Sequence, residues 1–256
     1  MIRRIAVSLI AAFTLAGTSP APASVSVLYA GSLVTPMENA IKPALLARGI
    51  TFDGEPGGSK KLANFIRDGI RTPDVFISVD STLVKNLGAR VARATTFANT
   101  TLGVAWSDKS RFAAELGATD SARVRYILSL PGIRIGRTDP QLDPKGQYTV
   151  EAMNLIGGDA LLGDEENPAQ VFPEEDLLAR IDTGEIDAGF FYKTEAVARG
   201  LHFVALPGKA AMSDRIGYTL AVLRNAPHPA AADAFERFIL TGRGRTLLIK
   251  AGLRYR

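Results

Sequence analysis

The sequence predicts an α/β protein of two lobes. Three observations predict it. Strand-like and helix-like runs alternate along the chain, the signature of sheets with crossover connections. A second alternating series starts near Leu102. After Pro207, one more strand and two helices follow, which are read as returning to the first lobe. The expected boundaries are a leader at 1–23, a first lobe at 24–101 plus 207–256, and a second lobe at 102–206.

The elements follow in order. "VSVLYA" (25–30) is β-branched and apolar, a strand. From Leu33, apolar residues recur at Met37, Ala40, Ile41, Ala44 and Leu45, which is helical spacing. "ITFDGEP" is a second strand, Gly57-Gly58 a turn, and Leu62, Phe65, Ile66 and Ile70 mark a helix face. "DVFISVD" is a third strand, and "LVKNL" starts a helix. In the second series "LGVAWS" is a strand, "VRYILSL" a helix, "IRIGRTD" a strand and "TVEAMNLI" a helix. "PEEDLLARIDTG" is a helix with Pro173 at its start and acidic residues in its first turn, as the helix dipole favours. "DAGFFYK" is a strand and "TEAVARG" a short helix. "IGYTLAVL" is the returning strand, and Gly242 separates the two last helices.

The first residues carry Arg3 and Arg4, an apolar run from Ile5 to Ala16, and Ala21-Pro22-Ala23, an A-x-A cleavage pattern. The run is too short for a membrane span, so the segment reads as a secretory signal peptide with mature protein starting near Ser24. Losing the two arginines takes the formal charge from +4 to +2. The 256 residues are 46% apolar and 22% charged, enough for a sizeable core and against disorder. No Lys/Arg block marks a nucleic-acid footprint. With 0 Cys there is no disulfide, thiol nucleophile, lipid-anchor cysteine or Cys metal site to expect. The expected product is an exported, periplasmic, monomeric protein.

Two corners repeat one composition. "LYAGSL" (28–33) and "EPGGSK" (55–60) each set a Gly-Ser pair between a strand and a helix. A helix start offers unpaired N–H groups and the positive dipole end, a preceding Gly admits close approach, and a Ser adds a hydroxyl donor. Ser32 and Ser59 are thus either paired oxyanion donors or ordinary N-caps. The third corner, "TDPQLDPKGQYT" (138–149), is turned by two Asp-Pro steps. Asp143 is either a turn former or faces a ligand, and Lys145 offers its backbone N–H. Tyr192 ends a strand, where ligands gather in open α/β sheets, and its phenol is a donor or simply packs there. Enzyme chemistry finds little footing. His202 and His228 lack metal spacing, "GRGR" is not followed by G-K-[ST], and there is no G-x-S-x-G. Glu165-Glu166 and Glu174-Glu175-Asp176 read as solvated charge.

In this order, "LYAGSL", "EPGGSKKLANFIRDG", "PDVFISVDSTLVKNL", "DPQLDPKG" and "GEIDAGFFYKTEAVARGLHFVALP" resemble the molybdate/tungstate-binding periplasmic proteins of ABC importers, over about Val25 to Pro207. The resemblance implies a class II periplasmic-binding-protein fold, capture of a tetrahedral oxyanion (molybdate or tungstate, with sulfate as the alternative), delivery to an inner-membrane ABC permease, no cofactor and no catalysis. It implies ligand contacts from Ser32 and Ser59, from Asp143 or the Lys145 N–H, from the backbone N–H at Glu174, and from the Tyr192 phenol. The archaeal-type branch often reads F-E-Y-K-S where this chain has "FFYKT". The branch's metal-ligating Glu is therefore Phe191 here, and Glu195 does not replace it by position. The resemblance then implies a tetrahedral, hydrogen-bonded oxyanion, with Asp143 as the possible metal ligand.

Overall fold

A computed structural model describes residues 23–163 and 170–256. The leader up to residue 22 and the Glu165-Glu166 pair lie outside the described residues. The chain builds two mixed sheets. The first holds β1 (Ala23–Ala30), β2 (Ile50–Gly57), β3 (Val75–Ser78) and β4 (Val91–Asn99). The second holds β5 (Leu102–Trp106), β6 (Ile135–Thr138), β7 (Gln170–Phe172), β8 (Ala188–Tyr192) and β9 (His202–Ala205). The chain then returns to the first sheet with β10 (Gly217–Leu223) and β11 (Arg254–Tyr255). The orders are β11-β4-β10-β3-β1-β2 and β7-β6-β8-β5-β9. The alternation of strand and helix is thus an α/β architecture of two sheets, each in its own lobe.

In the first sheet β1 lies parallel between β2 and β3, so the chain leaves β1 toward one side and later returns to the other. That is a topological switch point, where the carboxyl ends of the strands open a crevice. In the second sheet β6 lies parallel between β7 and β8. The polar corners all follow the carboxyl ends of these parallel strands. Ala30 and Gly57 are register partners, so Ser32 and Ser59 each lie two residues beyond one paired rung.

Both faces of β1 are buried, as strands beneath crossover helices require. Val25, Val27 and Tyr29 pack in the large core with Met37, Ile41, Leu45 and Phe235. Leu28 turns the other way, onto Leu62, Ile66, Phe76 and Val84. Met37, Ile41 and Leu45 are fully buried, each contributing about 1.5–3 kcal/mol of transfer free energy. The helix expected from Leu33 is not uniform. It opens as a 3₁₀ turn at Gly31–Leu33, and Lys42 N–H reaches back to the Met37 carbonyl in a π turn over Met37–Ile41. Pro43 follows and has no N–H for the Asn39 carbonyl, so the ordinary ladder is interrupted there. The wider turn keeps three core residues spaced by four on one face.

Two sequence expectations shift. The second helix runs Ser59–Arg67, and Ile70 lies beyond it and exposed, because Gly69 turns the chain at φ +72°. Strand β4 was not anticipated. It is exposed or half-exposed through Thr96, so it carries no alternating pattern, and its pairing with β10 and β11 defines it.

Two crossovers join the lobes, at Thr100–Thr101 and between β9 and β10. They are tied to each other: Thr100 N–H donates to the Ile216 carbonyl (3.2 Å), and Asn99 Nδ2 donates to the carbonyls of Ser213 (3.3 Å) and Ile216 (3.1 Å).

Candidate ligand-binding site

The corners of the two lobes face each other at contact distance. A Cβ on Gly31 would meet the Glu174 side chain at 2.8 Å, and one on Gly58 would meet the Leu142 carbonyl oxygen at 2.7 Å. Lys60 Nζ donates to the Pro140 carbonyl (2.8 Å) and Lys61 N–H to that of Leu142 (3.3 Å). Gly58 thus lets the first lobe's backbone seat on that of the second, and Gly31 leaves room for the Glu174 side chain. Ser32, Ser59, Asp143, Lys145, Glu174 and Tyr192 are all buried around this contact. Beside it a cavity of about 320 Å³ is lined by Gly58, Lys61, Thr138, Asp143, Phe172 and Glu174 among others.

Neither serine caps its helix through its side chain. The N-cap positions are Ala30 and Gly58. Instead each hydroxyl oxygen accepts a hydrogen bond: Ser32 Oγ from the Tyr218 phenol (3.0 Å), and Ser59 Oγ from Val79 N–H (3.3 Å). Each hydroxyl therefore keeps its own proton to donate. Among the described residues neither proton has a protein acceptor. The Tyr192 phenol, fully buried, has no hydrogen-bond partner there either. Burial pushes its pKa well up, so it is a neutral O–H donor. A buried polar group left unpaired costs about 1–3 kcal/mol, so three such protons in one place call for an acceptor.

The carboxylates form a second layer. Asp143 is the N-cap of helix Pro144–Leu155, and its Oδ1 accepts the Lys145 N–H at 3.0 Å. The N–H that the sequence reading offered to a ligand is thus held by Asp143, and Lys145 enters the site through its ammonium. Fully buried, Lys145 Nζ lies 3.1 Å from Glu174 Oε1 and 2.7 Å from Glu195 Oε1. Glu195 Oε2 accepts the Tyr192 N–H (2.7 Å). Glu195 therefore supports Lys145 and Tyr192 together, a role hidden in the sequence. Burial would lower the Lys145 pKa, but Glu174, Glu195 and Asp143 together raise it, so it is cationic.

Glu174 starts helix Glu174–Thr183 behind Pro173, which supplies no side-chain cap. Its side chain is as informative as its N–H. Burial, then the charge of Asp143, push the Glu174 pKa well up, and Lys145 only partly offsets them. Asp143 Oδ2 beside it has no hydrogen-bond donor among the described residues. Three carboxyl groups, of Asp143, Glu174 and Glu195, thus surround one ammonium. Acidic residues at 174–176 were read as solvated; Glu174 is buried, whereas Asp176 is exposed. Phe191 packs in an apolar layer with Leu177, Leu178, Ile181 and Ile186, and its ring centroid lies 5.1 Å from Lys145 Nζ. Among the described residues no cluster of three or more His, Asp or Glu has metal-holding geometry, and no helix is long and apolar enough to cross a membrane.

Comparison with known proteins agrees with this architecture. The chain is 32% identical to a Haloferax volcanii protein named as an ABC transporter molybdenum-binding protein, covering 85% of this chain and 78% of that one. It is 24% identical to the molybdate/tungstate-binding protein of Thermococcus kodakarensis, over 92% of this chain and 83% of the relative. Among solved structures it superposes on the periplasmic molybdate-binding protein of Azotobacter vinelandii with a TM-score of 0.73. That match has 18% identity and covers 90% of this chain and 98% of the other, a likeness of fold. The profile of the bacterial extracellular solute-binding proteins matches residues 25–254, and the chain belongs to that family.

Proposed function

We propose that this protein captures a tetrahedral oxyanion, molybdate or tungstate, outside the cytoplasm and delivers it to an ABC permease. One observation carries the reading. Three buried hydroxyls, on Ser32, Ser59 and Tyr192, stand at the corners where the two lobes meet, and their protons have no acceptor among the described residues. The names of the relatives from Haloferax and Thermococcus support the choice of metal oxyanion. The start of helix Ser59–Arg67 adds backbone N–H groups and the positive end of its dipole. Only neutral donors would touch the anion, and the lobes, divided at 24–101 plus 207–256 and at 102–206, would close by turning about their two crossovers. The site performs binding and release without a catalytic step. The coordination would stay tetrahedral, because Phe191 supplies no carboxylate. A second reading has one observation in its favour: the Glu174 carboxyl group lies beside Asp143, so the two are placed to enter the metal's coordination shell together.

The test is a thermal-shift titration of ligand-stripped protein with molybdate, tungstate, sulfate and phosphate. Ligand at 100 times its dissociation constant stabilises by about 2.7 kcal/mol. Molybdate and tungstate should raise the melting temperature at micromolar concentration. A response to sulfate alone moves the assignment to that anion, and no response to any of the four refutes it. Export is tested separately: secreted protein should begin near Ser24, and intact Met1 on cytosolic protein would overturn the leader.

A further inference from the structure

The hydrogen bond into Ser32 is the end of a longer chain. Tyr218 has one O–H, and Ser32 Oγ accepts it. The contact between Thr194 Oγ1 and the Tyr218 oxygen (3.0 Å) must then have Thr194 as donor. Thr194 has spent its proton, so Thr100 donates to Thr194 Oγ1 (3.4 Å). The Thr100 oxygen in turn accepts the Thr194 N–H (3.4 Å). The direction is set at both ends, by the Tyr218 O–H donated to Ser32 and the Thr100 O–H donated to Thr194. Thr100, Thr194, Tyr218 and Ser32 are each at most 5% exposed, so water does not compete for these protons. The chain starts at a crossover between the lobes, passes through the helix that follows Tyr192, crosses to β10 in the first lobe, and ends at Ser32.

From this geometry we propose that Tyr218 is the residue that sets proton selectivity: it orients Ser32 as a donor, and so favours oxyanions that carry no proton. The inference rests on the oxyanion reading above. A hydroxyl that accepts from a fixed donor is polarised toward donating its own hydrogen. Ser59 is treated the same way by Val79 N–H, and Tyr192 has no other partner. A fully deprotonated anion offers only acceptors and matches three donors. A hydrogen phosphate or hydrogen arsenate brings a donor of its own, which these three hydroxyls meet with hydrogen facing hydrogen, so that the Asp143 carboxylate lining the cavity is the acceptor left to it. Burial raises the phenol pKa of Tyr218, which keeps it a donor at physiological pH. Without the Tyr218 proton, Ser32 is free to turn and accept.

The test is Tyr218→Phe in the mature full-length protein, with molybdate affinity measured by calorimetry and inorganic phosphate by competition against molybdate. Molybdate binding should weaken about fivefold, the loss of one net hydrogen bond. Phosphate should become a measurable competitor, narrowing the molybdate-to-phosphate ratio at least tenfold. Thr194→Val, which keeps the Tyr218 proton on Ser32, should narrow the ratio less and guards against a folding defect in the first variant. If Tyr218 only packs the core, both anions weaken together and the ratio stays constant. A constant ratio, or phosphate that still fails to compete, overturns the inference. If the wild-type protein binds no oxyanion at all, the proposed function fails instead.

Discussion

Lys145→Met tests whether the buried charge cluster holds the site together. The substitution keeps the length of the side chain and removes the ammonium that lies 3.1 Å from Glu174 and 2.7 Å from Glu195. Glu195 then keeps only the Tyr192 N–H, with an unpaired buried charge. Breaking a buried ion pair from one side costs about 3–5 kcal/mol. At about 2–4 °C per kcal/mol for a chain of this size, the melting temperature should fall on the order of 10 °C. Lys145→Met with Glu195→Gln removes the orphaned charge as well and should recover more than half of that loss. The amide can still accept the Tyr192 N–H, so Tyr192 stays in place. Urea denaturation of the wild type and both variants reads the difference directly. A single variant that loses less than about 1 kcal/mol, or a double variant less stable than the single one, refutes the cluster as described.

Ser32→Ala and Ser59→Ala should each weaken oxyanion affinity tenfold or more, since a charge-assisted hydrogen bond contributes about 1.5–3 kcal/mol. Calorimetry reads this; each substitution also leaves a buried donor, the Tyr218 O–H or the Val79 N–H, without its acceptor, so the melting temperature of the ligand-free protein should fall by a few degrees and is measured separately. Asp143→Asn keeps an acceptor for the Lys145 N–H and removes the charge beside the dianion. Molybdate affinity should hold or improve if Asp143 stays outside the metal's coordination shell, and should collapse if it is a ligand. X-ray absorption of the bound metal should show four oxygen neighbours; six, two of them protein carboxylates, would establish the expanded shell. For Asp187, burial alone would raise the carboxyl pKa, but hydrogen bonds from Arg134 and Arg111 hold it well below the usual carboxylate range. The folded state thus favours the ionised form, so this contribution is full above about pH 4 and is lost as pH falls below it. Acid unfolding followed by circular dichroism should be less steep below pH 4 in Asp187→Asn.

The corners were legible because each is a local event. A β-branched run ends, a Gly or Pro breaks the ladder, and a small polar residue opens a helix; that pattern sits within six residues at 28–33 and again at 55–60. Their adjacency needed the sheet, where Ala30 pairs with Gly57. What the sequence hid are partners far apart along the chain. Tyr218 lies 186 residues from Ser32 and Glu195 lies 50 from Lys145. In "IGYTLAVL" a tyrosine reads as one more strand residue, and in "DPKG" a lysine reads as surface, because neither short window shows that its partners are buried. Glu174 was placed by its N–H alone for the same reason: the helix start is local, whereas the field of Asp143 on its carboxyl is not.

The two layers of the site divide the work between them. The hydroxyl layer, Ser32, Ser59 and Tyr192, holds an anion by dipoles and adds no charge. The layer beneath it sets three carboxyl groups, of Asp143, Glu174 and Glu195, around one ammonium, so it does not attract a dianion. A cleft built only to hold tightly would place an arginine here, as oxyanion geometry favours. Here the positive charge, Lys145, is instead spent on Glu174 and Glu195. The repulsion from the Asp143 carboxylate remains, its Oδ2 without a donor. Binding energy must then come from donors that converge only when the lobes meet, across glycines that tolerate no Cβ at 31 or 58. When the lobes part, the donors separate and the repulsion does not. Affinity therefore falls faster on opening than it would in a site held by paired charges, which suits a carrier that must release what it captures.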